Sequence, residues 1–407
     1  MKLGSDRPYH LTYCSNIHAG ESWPEVYANL QQYVPALKQQ LGCDRAFGIG
    51  LRLADRAARA LQADGDALGA FKAWLTSQDL YVFTLNGFPY GGFHRQVVKD
   101  LVYAPDWSQI ERLAYTRRLV AILAELLPAG VDGGISTVPL SYKPWFLTAP
   151  SARQIALRRS CEQLAQLAGE LAVLRQETGK FIHLDLEPEP DCLLETQNEV
   201  IDFYKTWLLP TGTAYLAARW GQARAEEILR EHLQVCYDTC HFAVGYEDPA
   251  AVFAGFQAAG IQIGKIQLSA ALKIPLPAQT QRREELRDRL SAFAESTYLH
   301  QVVERYPDGR LERYRDLTTA LPFLPASEAA EWRTHFHVPI FIEDYQDFQS
   351  TQADLKAALQ QLVETPICNH LEIETYTWEV LPAGMKQDLL TSIRREYEWV
   401  LEQVGLD

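Results

Sequence analysis

The chain has 407 residues, 47% of them hydrophobic, with 38 Lys and Arg against 52 Asp and Glu, a formal net charge of −14. Such acidity argues against nucleic acid or an anionic membrane as the main partner, since like charges repel. No run approaches the roughly 20 apolar residues of a membrane span, and Met1–Pro8 lacks the apolar core of a secretory signal, so a cytoplasmic protein is expected.

Short β-like runs alternate with longer helical patterns. The first run, His10–Ile17, is followed by Ser22 and a helix over Trp23–Leu41 with Pro24 in its first turn, where proline is favoured. Ala46–Leu53 and Leu80–Asn86 come next, then the helical spacing of Ile110–Leu127. Gly133–Val138 precedes a long helix over Ser151–Thr178, and Phe181–Glu187 precedes helices over Asn198–Trp207 and Gly212–His232. Leu233–Asp238 and Ile261–Leu268 follow, then a helix over Thr351–Val363, the run His370–Tyr376 and a closing helix over Lys386–Val404.

Eight such alternations imply parallel strands with helical crossovers. Eight is also the number that closes into a (β/α)8 TIM barrel. A large doubly wound sheet is the rival, weakened because no Gly-x-Gly-x-x-Gly follows any strand. The stretch 273–333 is too long for a strand-to-helix loop. It holds a charged helix, Thr280–Glu295, then Tyr298–Arg305, a Pro307-Asp308-Gly309 turn and Arg310–Leu317, which read as a hairpin. The expectation is one barrel domain over 1–407, with an insertion over 273–333 after the seventh strand, on the C-terminal face. His335–Ile342 is left open as a ninth strand or a barrel strand. The seven cysteines, Cys14, Cys43, Cys161, Cys192, Cys236, Cys240 and Cys368, are odd in number and show no pairing pattern, as free thiols in a reducing compartment would.

In a barrel, chemistry sits at the C-terminal ends of the strands. The sixth strand ends in Asp238-Thr239-Cys240-His241, and the fifth in Asp185-Leu186-Glu187-Pro188-Glu189. The eighth carries Glu372-Ile373-Glu374-Thr375-Tyr376. Carboxylates that converge without a cation raise one another's pKa. A bound divalent ion removes that repulsion, so the cluster reads as a site for Mn²⁺, Mg²⁺ or Zn²⁺. At the same rim, Asn16 and His18 follow the first strand, Asn86, Tyr90 and His94 the third, and Lys143 the fourth. These are candidate contacts to a small-molecule metabolite, as amides and imidazoles fix hydroxyls and aromatics stack. His183 and Asp185 read as a polar layer inside the barrel, and His335 as a strand residue.

The strand order, the Glu ending strand five, Asp-Thr-x-His after strand six and the Glu before an aromatic on strand eight resemble the xylose isomerase-like TIM barrel superfamily. That group includes sugar isomerases, ketose 3-epimerases and endonuclease IV-type enzymes. More narrowly, Leu11–His18, Asn86–Gly91, Leu186–Pro190, Phe336–Phe341 and Glu374–Trp378 look like segments of the EboE family of metabolite traffic proteins. The superfamily resemblance implies metal ligation by Glu187, Asp238 and Glu374, with His241 orienting Asp238 or bonding substrate. The usual strand-seven His falls on Gln267, which offers a carbonyl oxygen, and His337 is the alternative source of an imidazole. The implied activity is metal-dependent isomerisation or epimerisation of a polyhydroxy compound or secondary-metabolite precursor, with Glu187 and Glu374 moving the proton. A non-catalytic metabolite-binding protein, with partners from the same gene cluster, is the alternative. An endonuclease IV-like phosphoesterase is a third reading, disfavoured by the charge and by Gln267.

Overall fold

The computed structural model describes residues 1–3, 9–345, 347–381 and 388–405. The expected start of the closing helix at Lys386, like positions 4–8 of the N-terminal stretch, lies outside the described residues. Eight parallel strands form the barrel, β1 (Tyr9–Tyr13), β2 (Phe47–Arg52), β3 (Leu80–Asn86), β4 (Gly133–Thr137), β5 (Ile182–Leu186), β6 (Leu233–Asp238), β7 (Ile263–Leu268) and β8 (His370–Ile373), and the short strand Lys2–Leu3 adds to the sheet antiparallel to β1. Their order runs β1–β8–β7–β6–β5–β4–β3–β2. Helices lie between successive strands, as parallel crossovers require. The first carries a capping box, Ser22 with Glu25, and Pro24 in its first turn.

The seam between β1 and β2 has a single bridge, Cys14 to Gly50. A side chain supplies what the ladder lacks. Thr12 Oγ1 donates to Gly48 O at 3.0 Å and accepts from Gly50 N at 2.8 Å. The result is a nearly closed barrel. Among the described residues, no helix is long and apolar enough to cross a membrane.

Each of the eight strand-like runs overlaps a barrel strand, and the differences that shape the site lie at the C-terminal ends of β1 and β8. β1 stops at Tyr13 and Ser15–Ile17 form a 3₁₀ turn; β8 stops at Ile373. The chain leaves the sheet there, and the departing residues carry Asn16 and Glu374 into the mouth of the barrel.

A second sheet, antiparallel and six-stranded, fills the stretch between β7 and β8. Its order is Leu311–Tyr314, Val302–Arg305, Glu331–His337, Ala271–Pro275, Phe348–Ser350, Asp344–Tyr345. The run containing His335 therefore belongs to this sheet, which removes the reading of 335–342 as a barrel strand. β8 pairs directly with β7 and β1 and leaves it no place. The sheet draws in 271–350, a wider stretch than 273–333. Ala271–Pro275 follows β7 after only Ser269 and Ala270, with no Gly or Pro to mark a break. Its register shifts between Thr334 and His337, an irregularity of the kind that re-aims side chains.

The barrel interior is polar along its axis. Lys265 Nζ meets Glu372 Oε2 at 2.7 Å with both side chains fully buried, and also reaches Leu85 O and Ser136 Oγ at 3.3 Å. Gly50 makes room for that pair, since a Cβ there would overlap the Glu372 carboxylate. Removing one partner of a buried pair strands the other charge. Lys265→Met is therefore expected to cost about 3–5 kcal/mol. The double change K265M/E372L should recover most of that loss. Denaturant midpoints check both, and an unshifted midpoint in K265M would refute the role given to the pair.

Candidate metal centre

Three strand ends deliver three carboxylates. Glu187 follows β5, with its backbone N–H donating to Thr137 O at 3.1 Å. Asp238 ends β6 and caps the short helix after it. Its Oδ1 accepts from Cys240 N at 2.8 Å, His241 N at 3.2 Å and Ser269 Oγ at 2.6 Å. Glu374 follows β8, and its Oε1 accepts from Asn16 Nδ2 at 2.7 Å and Asn86 Nδ2 at 2.9 Å. One carboxylate oxygen from each of the three lies within 4.8 Å of the others.

An imidazole from the second sheet joins them. His337 Nδ1 donates to Glu374 O at 2.6 Å, an assignment fixed because a carbonyl can only accept. The lone pair is then on Nε2, which lies 4.0 Å from Asp238 Oδ2. Glu187 Oε2, Asp238 Oδ2 and His337 Nε2 are all buried and have no hydrogen-bond partner. Buried polar atoms are nearly always satisfied; these three are not, and Asp238 belongs both to a donor group with Glu187 and Glu374 and to one with His241 and His337.

A second donor group adjoins the first. His241 Nδ1 donates to Pro188 O at 2.9 Å and His335 Nδ1 to Gln301 Oε1 at 2.8 Å. Their Nε2 atoms face each other at 3.1 Å. Two lone pairs at that distance repel unless a proton or cation lies between them. Glu189 completes the group; its Oε1 accepts from Tyr103 OH at 2.9 Å and its Oε2 is buried without a partner.

The electrostatics fit a cation and not a bare acid/base pair. Burial, then Glu374, Asp238 and Glu189, hold the Glu187 carboxyl well above its ordinary range. Burial and then Asp238 and Glu372 do the same to Glu374, against the Asn16 hydrogen bond. Burial pushes Glu189 up to about 8. For Asp238 burial acts upward, but His241, His337 and the Ser269 hydroxyl outweigh it and keep the group below its usual value. Burial pushes His241 down to about 4, and lowers His335 and His337 as well. The imidazoles are therefore neutral at neutral pH, the form that ligates metals.

Of the sequence-predicted residues, Glu187, Asp238, His241, His337 and Glu374 come together, with Asn16 and Asn86 on Glu374. Gln267 is beside Asp238 in the sheet, but its Oε1 accepts from the Cys236 thiol at 3.2 Å, leaving the Nε2 donor as its unpaired atom. His337 is thus the group that presents a lone pair. His94 holds the mouth from behind, bonding Asn16 O and, at 3.0 Å, Tyr298 OH. Three expected substrate contacts are engaged elsewhere and do not line the cleft. His18 bonds Tyr13 OH at 2.9 Å and stacks on Tyr33; Tyr90 OH donates to Asp55 at 3.0 Å; Lys143 pairs with Glu195 and Glu199 at 2.7 Å. Each found a near partner that loop position alone does not reveal. His335 and Glu189 are gains over the sequence reading. Their signal was parity: Glu189 is two residues after Glu187, and His335 two before His337.

Above this acidic floor the cleft has aromatic walls, Phe88, Phe93, Tyr103, Tyr298 and Tyr376, around a cavity of about 50 Å³.

No family model and no curated protein matches the sequence. Solved structures do share the fold. A xylose isomerase-like TIM barrel protein from Mycobacterium smegmatis in complex with magnesium is 13% identical, with 99% of this chain and 98% of that one covered and a TM-score of 0.51. The IolI protein with a bound zinc atom is 12% identical over 97% and 98%, TM-score 0.47. The probable 3-DHS dehydratase AsbF of Bacillus anthracis is 11% identical over 97% and 98%, TM-score 0.44. The chain shares a (β/α)8 TIM barrel fold with the Mycobacterium smegmatis protein.

Without a cation the raised carboxyls must keep protons in the folded protein that the unfolded chain has already lost. Stability of the metal-stripped protein should therefore fall as pH rises from 7 to 9, by about 1.4 kcal/mol per pH unit for each proton so retained. A flat or rising melting temperature over that range would contradict the carboxyl assignment.

Proposed function

We propose that this protein binds a divalent cation, Mn²⁺, Zn²⁺ or Mg²⁺, on Glu187, Asp238, His337 and Glu374, and isomerises or epimerises a small polyhydroxy carbonyl compound. The observation that carries the reading is three orphaned, buried donor atoms, Glu187 Oε2, Asp238 Oδ2 and His337 Nε2, in two donor groups that share Asp238. The magnesium in the Mycobacterium smegmatis barrel supports it. A cation held there supplies positive charge to carbonyl and hydroxyl oxygens, stabilising negative charge that develops on them.

The chain's own groups do the rest. Glu187, whose Oε2 is buried without a hydrogen-bond partner, is the proton acceptor. Glu374 has one oxygen clamped by Asn16 and Asn86 and offers the other. Asn16 Oδ1 is buried and unpaired, free to accept from a substrate hydroxyl. Phe93, Tyr298 and Tyr376 pack together over the mouth and exclude water. The EboE resemblance extends the proposal to a secondary-metabolite precursor, a cytoplasmic setting and partners encoded in the same gene cluster.

Metal content of the purified protein tests the centre. Wild type is expected to hold bound cation, and Asp238→Ala to lose one equivalent. Glu187→Gln should keep the fold and lower turnover on a responsive sugar or polyol by about 10²–10⁴-fold. Full turnover in that variant would remove Glu187 from the chemistry. Metal-loaded protein that carries a tightly bound, unchanged metabolite and turns over nothing would identify a carrier instead of an enzyme.

A further inference from the structure

The opposite end of the barrel carries another convergence of donors. Asp132 immediately precedes β4, His183 is the second residue of β5 and His370 opens β8. A ring nitrogen of each histidine and an oxygen of Asp132 lie within 4.8 Å of one another. His183 Nε2 is 3.9 Å from Asp132 Oδ2, and His370 Nε2 is 3.5 Å from Asp132 Oδ1. Both separations exceed a good hydrogen bond.

The surroundings aim these atoms. Asp185 Oδ1 bonds His183 Nδ1 at 2.7 Å, which turns the Nε2 lone pair toward Asp132. Such a carboxylate–histidine pair is the usual support of a metal-bound imidazole. Asn369 Nδ2 donates to both Asp132 oxygens, at 2.9 and 3.0 Å. The His370 side chain is fully buried, and neither of its ring nitrogens has a hydrogen-bond partner. Two glycines keep the space open. A Cβ at Gly134 would lie 2.8 Å from His370 Nδ1 and 2.9 Å from Asp185 Oδ2, and one at Gly264 would overlap Asp185. A proton on His183 would pair with Asp185 and Asp132, and His370 Nε2 faces the other Asp132 oxygen at 3.5 Å, long for a hydrogen bond. A cation engages all three residues. Asp132 is 25% exposed and opens onto a surface groove lined by Pro128, Gly130, Lys180 and Asn369, which gives an ion its way in and water a coordination position.

We propose that Asp132, His183 and His370 form a second cation site, separate from the mouth centre, that staples β4, β5 and β8 at the N-terminal end of the barrel. Two imidazoles and one carboxylate suit Zn²⁺ or a similar borderline ion over Mg²⁺. Asp185 is its positioning residue.

The test titrates Co²⁺, then competing Zn²⁺, into the full-length D238A/H335A variant, in which the mouth centre is dismantled, and follows visible absorption. One equivalent is expected to bind. Adding Asp132→Asn or His370→Ala should abolish it, and adding Asp185→Asn should weaken it by about 10–100-fold. Asp132 is partly exposed, so its variant is expected to fold, as circular dichroism will check. In the wild-type background the same D132N change should lower total bound Zn²⁺ by one equivalent and leave the Asp238-dependent equivalent in place. Folded D238A/H335A that binds no Co²⁺, or an unchanged Zn²⁺ count in D132N, overturns the site. Either result leaves the mouth centre standing, because Asp238→Ala probes that centre alone.

Discussion

Crowded carboxylates in a dry barrel are the constraint on which the rest of this structure depends. Glu187, Asp238, Glu189 and Glu374 share one water-poor mouth, where burial and mutual repulsion both oppose their charge. The neighbouring residues answer that problem. Asn16 and Asn86 turn two amide donors on Glu374, Ser269 and two backbone N–H groups cap Asp238, and Tyr103 donates to Glu189. Lys265 sits below them but is already committed to Glu372. These donors reduce the repulsion without cancelling the charge, and Glu187 Oε2, Glu189 Oε2 and Asp238 Oδ2 are left without hydrogen-bond partners.

The second sheet adds imidazoles to that acidic position. A barrel with only its own strand ends would offer Glu187, Asp238, Glu374 and His241. The strand Glu331–His337 adds two imidazoles at alternate positions, His335 and His337, and locks each through Nδ1 to a carbonyl oxygen. A neutral imidazole with its tautomer fixed is a better ligand than a free one, because no proton has to move first. The same segment brings Tyr298 over the cleft, where it packs on Phe93 and Tyr376. Ligand supply and pocket closure thus come from one stretch of chain.

The barrel itself was legible in the sequence because its signal is local. Parallel strands buried on both faces read as short apolar runs, and the helices between them carry their own period and caps. The acidic strand ends were legible for the same reason: Glu187, Asp238 and Glu374 each sit where an apolar run stops. The expectation failed where a residue's partner is distant in the chain. Lys143 and Tyr90 are rim residues by position, yet Glu195, Glu199 and Asp55 hold them away from the cleft. Gln267 occupies the expected strand position, yet Cys236 takes its carbonyl oxygen.

The sequence by itself therefore determined the eight-fold alternation, the polarity of each strand and which strand ends carry acid. Those depend on the order of side chains along a few residues and on the fixed two-residue period of a strand. Only the tertiary structure decided between Gln267 and His337, brought His335 and Glu189 together with His241, and joined Asp132, His183 and His370 at the other end. Those groupings join residues up to 238 positions apart, from Asp132 to His370. They arise from sheet closure and from the register of a second sheet, and no local pattern encodes either of these.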